Sequence, residues 1–160
     1  MTSDDEALAD VFRAFGAVPK PERFFANDGD LEYAEHNALL CARDRDTLLL
    51  SDVDNPGWDP VCSCSSAGFA YYFPTLAKFA LEHPDDSPLW YAEQLMYLIS
   101  REGERNRFLL FCDADQRRAV AKFVEYLVKT RASRFYTDGE ANDFSECLSL
   151  WQSVCSSPLG

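Results

Sequence analysis

The sequence predicts an all-α fold: one domain over residues 1–160, with about six helices around an aromatic-rich core and frayed ends at about 1–3 and 156–160. Three observations predict it. Apolar side chains recur at three- and four-residue steps in most segments, the period of a helix rather than a strand. Residues that start helices precede these stripes, and glycine or proline follows them. A chain of 160 residues with 47% hydrophobic and 14% aromatic content can also bury a core without disulfides or metals.

The first helix is expected over Asp4–Phe15, where Leu8, Val11, Phe12 and Phe15 form one stripe. Ser3 or Asp4 caps it, Gly16 ends it, and Pro19 and Pro21 keep the next stretch extended. A second helix is predicted over 31–43, with Leu31, Ala34, Ala38 and Cys41 facing inward. Asp46 or Thr47 then starts a short continuation through Leu48, Leu49 and Leu50, a triplet that reads equally as a strand. Residues 52–63 read as a loop that turns at Asn55-Pro56-Gly57.

Ser65 or Ser66 caps a helix over 66–81 that carries Phe69, Tyr72, Phe73, Leu76, Phe79 and Ala80. Pro74 lacks an amide and either kinks this helix or stands at the first position of a new one. Ser87-Pro88 is a cap followed by proline, so the next helix runs through Leu89, Ala92, Leu95, Met96 and Ile99 and stops near Gly103. Over 113–129, Asp113 and Gln116 make a capping-box variant ahead of a stripe of Val120, Phe123, Val124 and Leu127. Thr137-Asp138-Gly139 is a turn. Asn142 or Asp143 caps a last helix whose apolar side is Phe144, Cys147, Leu148, Trp151 and Cys155.

The formal net charge of −12 is uneven. Residues 1–60 hold 14 acids and 5 bases, a net of −9, whereas residues 101–135 hold 9 bases and 5 acids, a net of +4. An acidic surface repels phosphate backbones, so nucleic acid is a poor partner and a basic protein is the natural complement. The basic face of Arg117, Arg118, Lys122 and Lys129 is read as solvated or paired with the acidic first third. No run of about 18 apolar residues exists, so no membrane span is expected. The acidic N-terminus lacks a signal-peptide pattern, which places the chain in the cytoplasm with its six cysteines reduced.

Motifs that carry chemistry fail in detail. Residues 52–59 alternate aspartates like a calcium loop, but Pro56 takes the fifth place and Ser63 the twelfth, where ligands belong. Cys62-x-Cys64 with Cys41 and His36 could surround zinc, yet the spacing is unusual and His36 and Cys41 point apart on a helix. Cys112, Cys147 and Cys155 sit where buried thiols pack as small hydrophobes. His83, ahead of Pro84 at a helix end, suits the helix dipole rather than catalysis. No catalytic residue, metal or cofactor is implied. Phe69, Tyr71, Tyr72 and Phe73 cannot all face one core, so Tyr71 is expected to stay partly exposed at a pocket or interface.

The segment Phe69-Ala70-Tyr71-Tyr72-Phe73-Pro74 and the downstream QRRAVAKFVEYL stretch, residues 116–127, resemble a family of small bacterial all-helical domains of unknown function. Phe12, Phe15, Pro19 and Trp151 are compatible with the same layout. The resemblance implies a helical fold in a bacterial cytosol and carries no activity to any position.

Size, negative asymmetry and the lack of a catalytic constellation favour a non-enzymatic protein-binding domain. Its most concrete form is an acidic inhibitor or immunity-type protein masking a basic partner. The expected surface is Asp52, Asp54 and Asp59, with Trp58 or Tyr71 as anchors. The alternative is an enzyme or small-molecule binder with a pocket beside the aromatic helix 66–81.

Overall fold

The computed structural model describes residues 2–27, 29–82, 90–131 and 138–156. Among them the fold is all-helical, with eight α-helices. These are α1 (Asp4–Phe15), α2 (Leu31–Ala42), α3 (Leu50–Val53), α4 (Ser66–Leu81), α5 (Tyr91–Ser100), α6 (Arg107–Phe111), α7 (Ala114–Arg131) and α8 (Asp138–Ser156). Tight 3-10 turns at Pro56–Trp58 and Gly103–Arg105 precede α4 and α6. No described helix is long and apolar enough to cross a membrane.

Helices α1, α4, α5, α7 and α8 pack in a closed circuit: α4 on α1 and α5, α1 on α7, α7 on α8, and α8 back on α5. Phe108 of α6 plugs the middle. Its ring lies 4.8 Å from Phe69, 4.9 Å from Phe73 and 5.7 Å from both Phe15 and Trp151, centroid to centroid. Burying rings at these separations adds aromatic attraction to the hydrophobic gain. The indole N–H of Trp151 is satisfied by the Ile99 carbonyl at 3.0 Å, which fixes α8 against α5.

Two capping boxes set helix starts as their sequences imply. Ser3 and Glu6 close one at α1, and Asp113 with Gln116 closes the other at α7, with bonds of 2.8 and 2.9 Å. The stripe Val120, Phe123, Val124 and Leu127 is buried throughout. Pro74 sits inside an unbroken α4 and does not start a new helix. The Tyr71 carbonyl in the turn before it accepts from Arg45 Nε at 2.6 Å.

Several expectations are corrected. The triplet Leu48, Leu49 and Leu50 makes no strand: Asp52 accepts from the Leu49 amide at 2.8 Å and starts α3 at Leu50. Residues 52–63 are therefore only partly loop. α6, with five residues, is too short to display a period in the sequence. α8 begins at Asp138, where a turn and a later cap were predicted.

Phe12 is exposed, because α4 and α7 cover the Ala7, Val11, Phe15 side of α1. In α2 the predicted inward set holds only in part: Cys41 packs against the core and Ala34 is half-buried. Leu31 is 74% exposed and Ala38 is exposed, while His36 and Leu40 are buried. That helix is apolar on several sides, so its pattern cannot choose a face. The choice comes from Tyr72, whose hydroxyl donates to the Leu40 carbonyl at 2.6 Å. Cys155 is exposed and Val154 takes the buried place. α5 starts at Tyr91 after an extended Trp90, later than the Ser87-Pro88 start that the cap and proline predict. Ser87, Pro88, His83, Thr137 and the tail 157–160 themselves lie outside the described residues.

Candidate functional site

The predicted contact patch does not assemble on one surface. Asp52 caps α3 and pairs with Arg43 Nε at 3.0 Å. Asp59 is buried, accepting from the Val61 amide at 3.0 Å and from Gln94 Nε2 at 2.7 Å. Burial raises its carboxyl to about 6, against the hydrogen bonds from Gln94 and Val61 that favour the anion. Tyr71 is only 8% exposed, and the guanidinium of Arg45 covers its ring at 4.4 Å. All four aromatics at 69, 71, 72 and 73 are buried, since α1, α5 and α6 surround α4 and Arg45 closes the remaining side. Of the predicted set, Asp54 and Trp58 remain exposed. Trp58 lies 4.7 Å from the buried His36 ring.

Nor do the thiols converge. Among the described residues no three histidine, cysteine, aspartate or glutamate side chains form a group that could hold a metal. Cys41 meets the Glu22 carbonyl, while Cys64 is buried and its thiol is pushed up to about 12 by desolvation. Part of the basic helix face is paired with the acidic first third: Lys122 with Asp10 at 3.2 Å, and Arg131 with Asp4 at 2.8 Å.

The surface with the most distinctive geometry is built on the C-terminal half of α5. Its apolar positions Ala92, Leu95, Met96 and Ile99 face α4 and α8, which leaves Tyr97 standing outward, 62% exposed. Asn106 terminates this helix: Nδ2 donates to the Leu98 and Arg101 carbonyls at 2.9 and 3.0 Å, while Oδ1 caps α6 through the Phe108 and Leu109 amides. One buried side chain thus satisfies a helix end and a helix start. Between them Glu102 is held in the left-handed region at φ 67°.

Tyr97 is a ridge between two grooves. On one side, α5 and α8 enclose a groove of about 350 Å³ with Met96, Phe144 and Leu150 in its lining and the carboxylates Glu93, Asp143 and Glu146 around them. No basic side chain is among its described lining residues. On the other side, a more open groove of about 530 Å³ runs toward residues 62–63 and carries Tyr33, Arg101 and Arg107. A recess beside the aromatic helix, at Ser66 and Phe69, measures only about 20 Å³, room for a single water.

The Tyr97 ridge was missed in the sequence because both grooves are made between elements distant along the chain. An outward tyrosine in an otherwise apolar helical stripe was the one available signal. Comparison with known protein families, curated proteins and solved structures found no match.

Proposed function

We propose that this chain is a non-enzymatic protein-binding domain of the acidic inhibitor type, and that it docks a basic partner over the groove between α5 and α8. The observation that carries the reading is the groove's composition. It has an apolar floor, three carboxylates, no described basic side chain, and the exposed Tyr97 at its edge. A desolvated floor with an aromatic anchor supplies contact energy, and the charged rim steers a partner of opposite sign. The net charge of −12 acts in the same direction over longer range.

This moves the contact away from the 52–59 segment, where two of the three aspartates already have internal roles. The test is capture of a basic protein from the native host on immobilised chain. Wild type should retain it at low salt and release it as salt rises, since screening weakens exposed charge pairs. The double reversal Asp143→Lys, Glu146→Lys and the truncation Tyr97→Ala should each abolish retention. Trp58→Ala and Asp54→Lys should not. Retention that survives the groove variants, or that is lost only with the 54–58 variants, refutes the assignment.

A further inference from the structure

We infer that the second groove beside Tyr97 binds a small phosphorylated ligand carrying a flat aromatic group, of the mononucleotide class. Two guanidinium groups occupy its lining, and both meet neutral partners. Arg101 donates to the Cys62 carbonyl at 2.5 Å and approaches the Cys62 sulfur at 3.4 Å. Arg107 donates to the Cys64 carbonyl at 3.2 Å. Among the described residues no carboxylate lies within ion-pair distance of either, in a chain that carries twelve more negative than positive charges.

The carbonyl contacts position the guanidiniums without neutralising them. Each arginine has five N–H donors in a planar fork, and Arg107 uses one of them here. The remaining donors suit a phosphate, whose double negative charge matches two cations and whose oxygens accept bidentate pairs. Glu102 is the only acid among the described lining residues, so the two arginines outweigh it. Its side chain opposes anion binding and marks a position where removing charge should help.

The aromatic half of the ligand follows from the walls. Tyr33 and Tyr97 both line the groove and are 36% and 62% exposed, and the Tyr33 ring is held in place by stacking on Phe25 at 5.0 Å. Arg101 already lies 6.0 Å from the Tyr97 centroid, so a flat group entering there would meet a tyrosine face and a guanidinium plane together. The volume of about 530 Å³ falls within the range of small-ligand sites, roughly 300–1,000 Å³. This site is separate from the carboxylate groove and of opposite charge.

Titration calorimetry with AMP, adenosine and inorganic phosphate tests the inference. AMP should bind, with adenosine and phosphate each at least tenfold weaker. Arg107→Gln should weaken AMP at least tenfold, Glu102→Gln should tighten it severalfold, and Arg105→Gln, at an exposed residue outside the groove, should leave it unchanged. Thermal melting of each variant establishes that it is folded. Absent AMP binding to folded wild type overturns the proposal. So does binding equal for AMP and adenosine, or binding indifferent to Arg107→Gln.

Discussion

Gln94 Nε2 lies 2.7 Å from Asp59 Oδ2 and 2.7 Å from the Val53 carbonyl, so one amide group on α5 holds both ends of the 53–59 segment. The Asp59 carboxyl is buried with few charges to favour its anion: His36 and Arg101 exert weak attraction. Its folded value of about 6 stands above the ordinary value near 4. The folded state therefore binds more protons than the unfolded one between these values. Asp59 contributes most below about pH 4, and that contribution is lost as pH rises through 6. The gap corresponds to about 3 kcal/mol. Between pH 4.5 and 7.5, urea unfolding of wild type should lose about 2 kcal/mol of this relative to Asp59→Asn, which cannot ionise, the rest being lost at lower pH. A constant difference between the two proteins would show that the carboxyl titrates normally.

Tyr91 is the opposite case, a buried hydroxyl with no hydrogen-bond partner among the described residues. Burial and the neighbouring Asp59 hold its ionisation far above the ordinary tyrosine range, so it stays neutral. Leaving such a group unsatisfied costs about 1–3 kcal/mol. Tyr91→Phe should accordingly raise stability by about 1 kcal/mol in chemical denaturation. A loss of the same size would mean the hydroxyl is bonded.

Phe108 should be the most sensitive core position. It sits among Phe15, Phe69, Phe73 and Trp151, contributed by three different long helices. Phe108→Ala leaves a cavity that these rings cannot jointly collapse, at a cost of about 3–5 kcal/mol. Phe111, exposed on the same short helix, supplies the control: Phe111→Ala should change the melting midpoint little.

The pair between Asp4 and Arg131 joins α1 to the end of α7, with Tyr126 donating to the same carboxylate. Arg131 holds the Asp4 carboxyl below its usual range. The stabilisation is therefore present above the unfolded value and is lost as pH falls through the folded one. Asp4 is largely solvated, so Arg131→Met should cost at most about 1 kcal/mol. That cost should shrink in high salt and vanish in acid once Asp4 is protonated. A cost unchanged by salt would assign the effect to packing.

The contrast between α7 and α2 explains which elements are legible in the chain. α7 carries polar residues outside a single apolar stripe and an acid–amide cap, so only one face can be buried. α2 offers apolar residues on several sides, and its buried face is chosen by Tyr72 and by the enclosure of His36 between Phe25 and Trp58. Arg45 was equally invisible, although it donates to the carbonyls of Phe15, Val18 and Tyr71 and seals α4. Nothing about an arginine's neighbours in sequence reveals carbonyls roughly thirty residues away.

By itself, then, the order of residues determined the helical class, the bounds of α1, α2 and α4 to within a residue, and the Asp113–Gln116 capping box. These depend on interactions within about four positions, where period and cap chemistry act directly. The tertiary structure alone decided that Asp59 and Tyr71 are inside, that Phe108 is the hub, and that Tyr97 divides an acidic groove from a basic one. Burial and groove formation depend on which helices close the circuit. That arrangement rests on contacts between helices far apart in the chain, so no local segment encodes it.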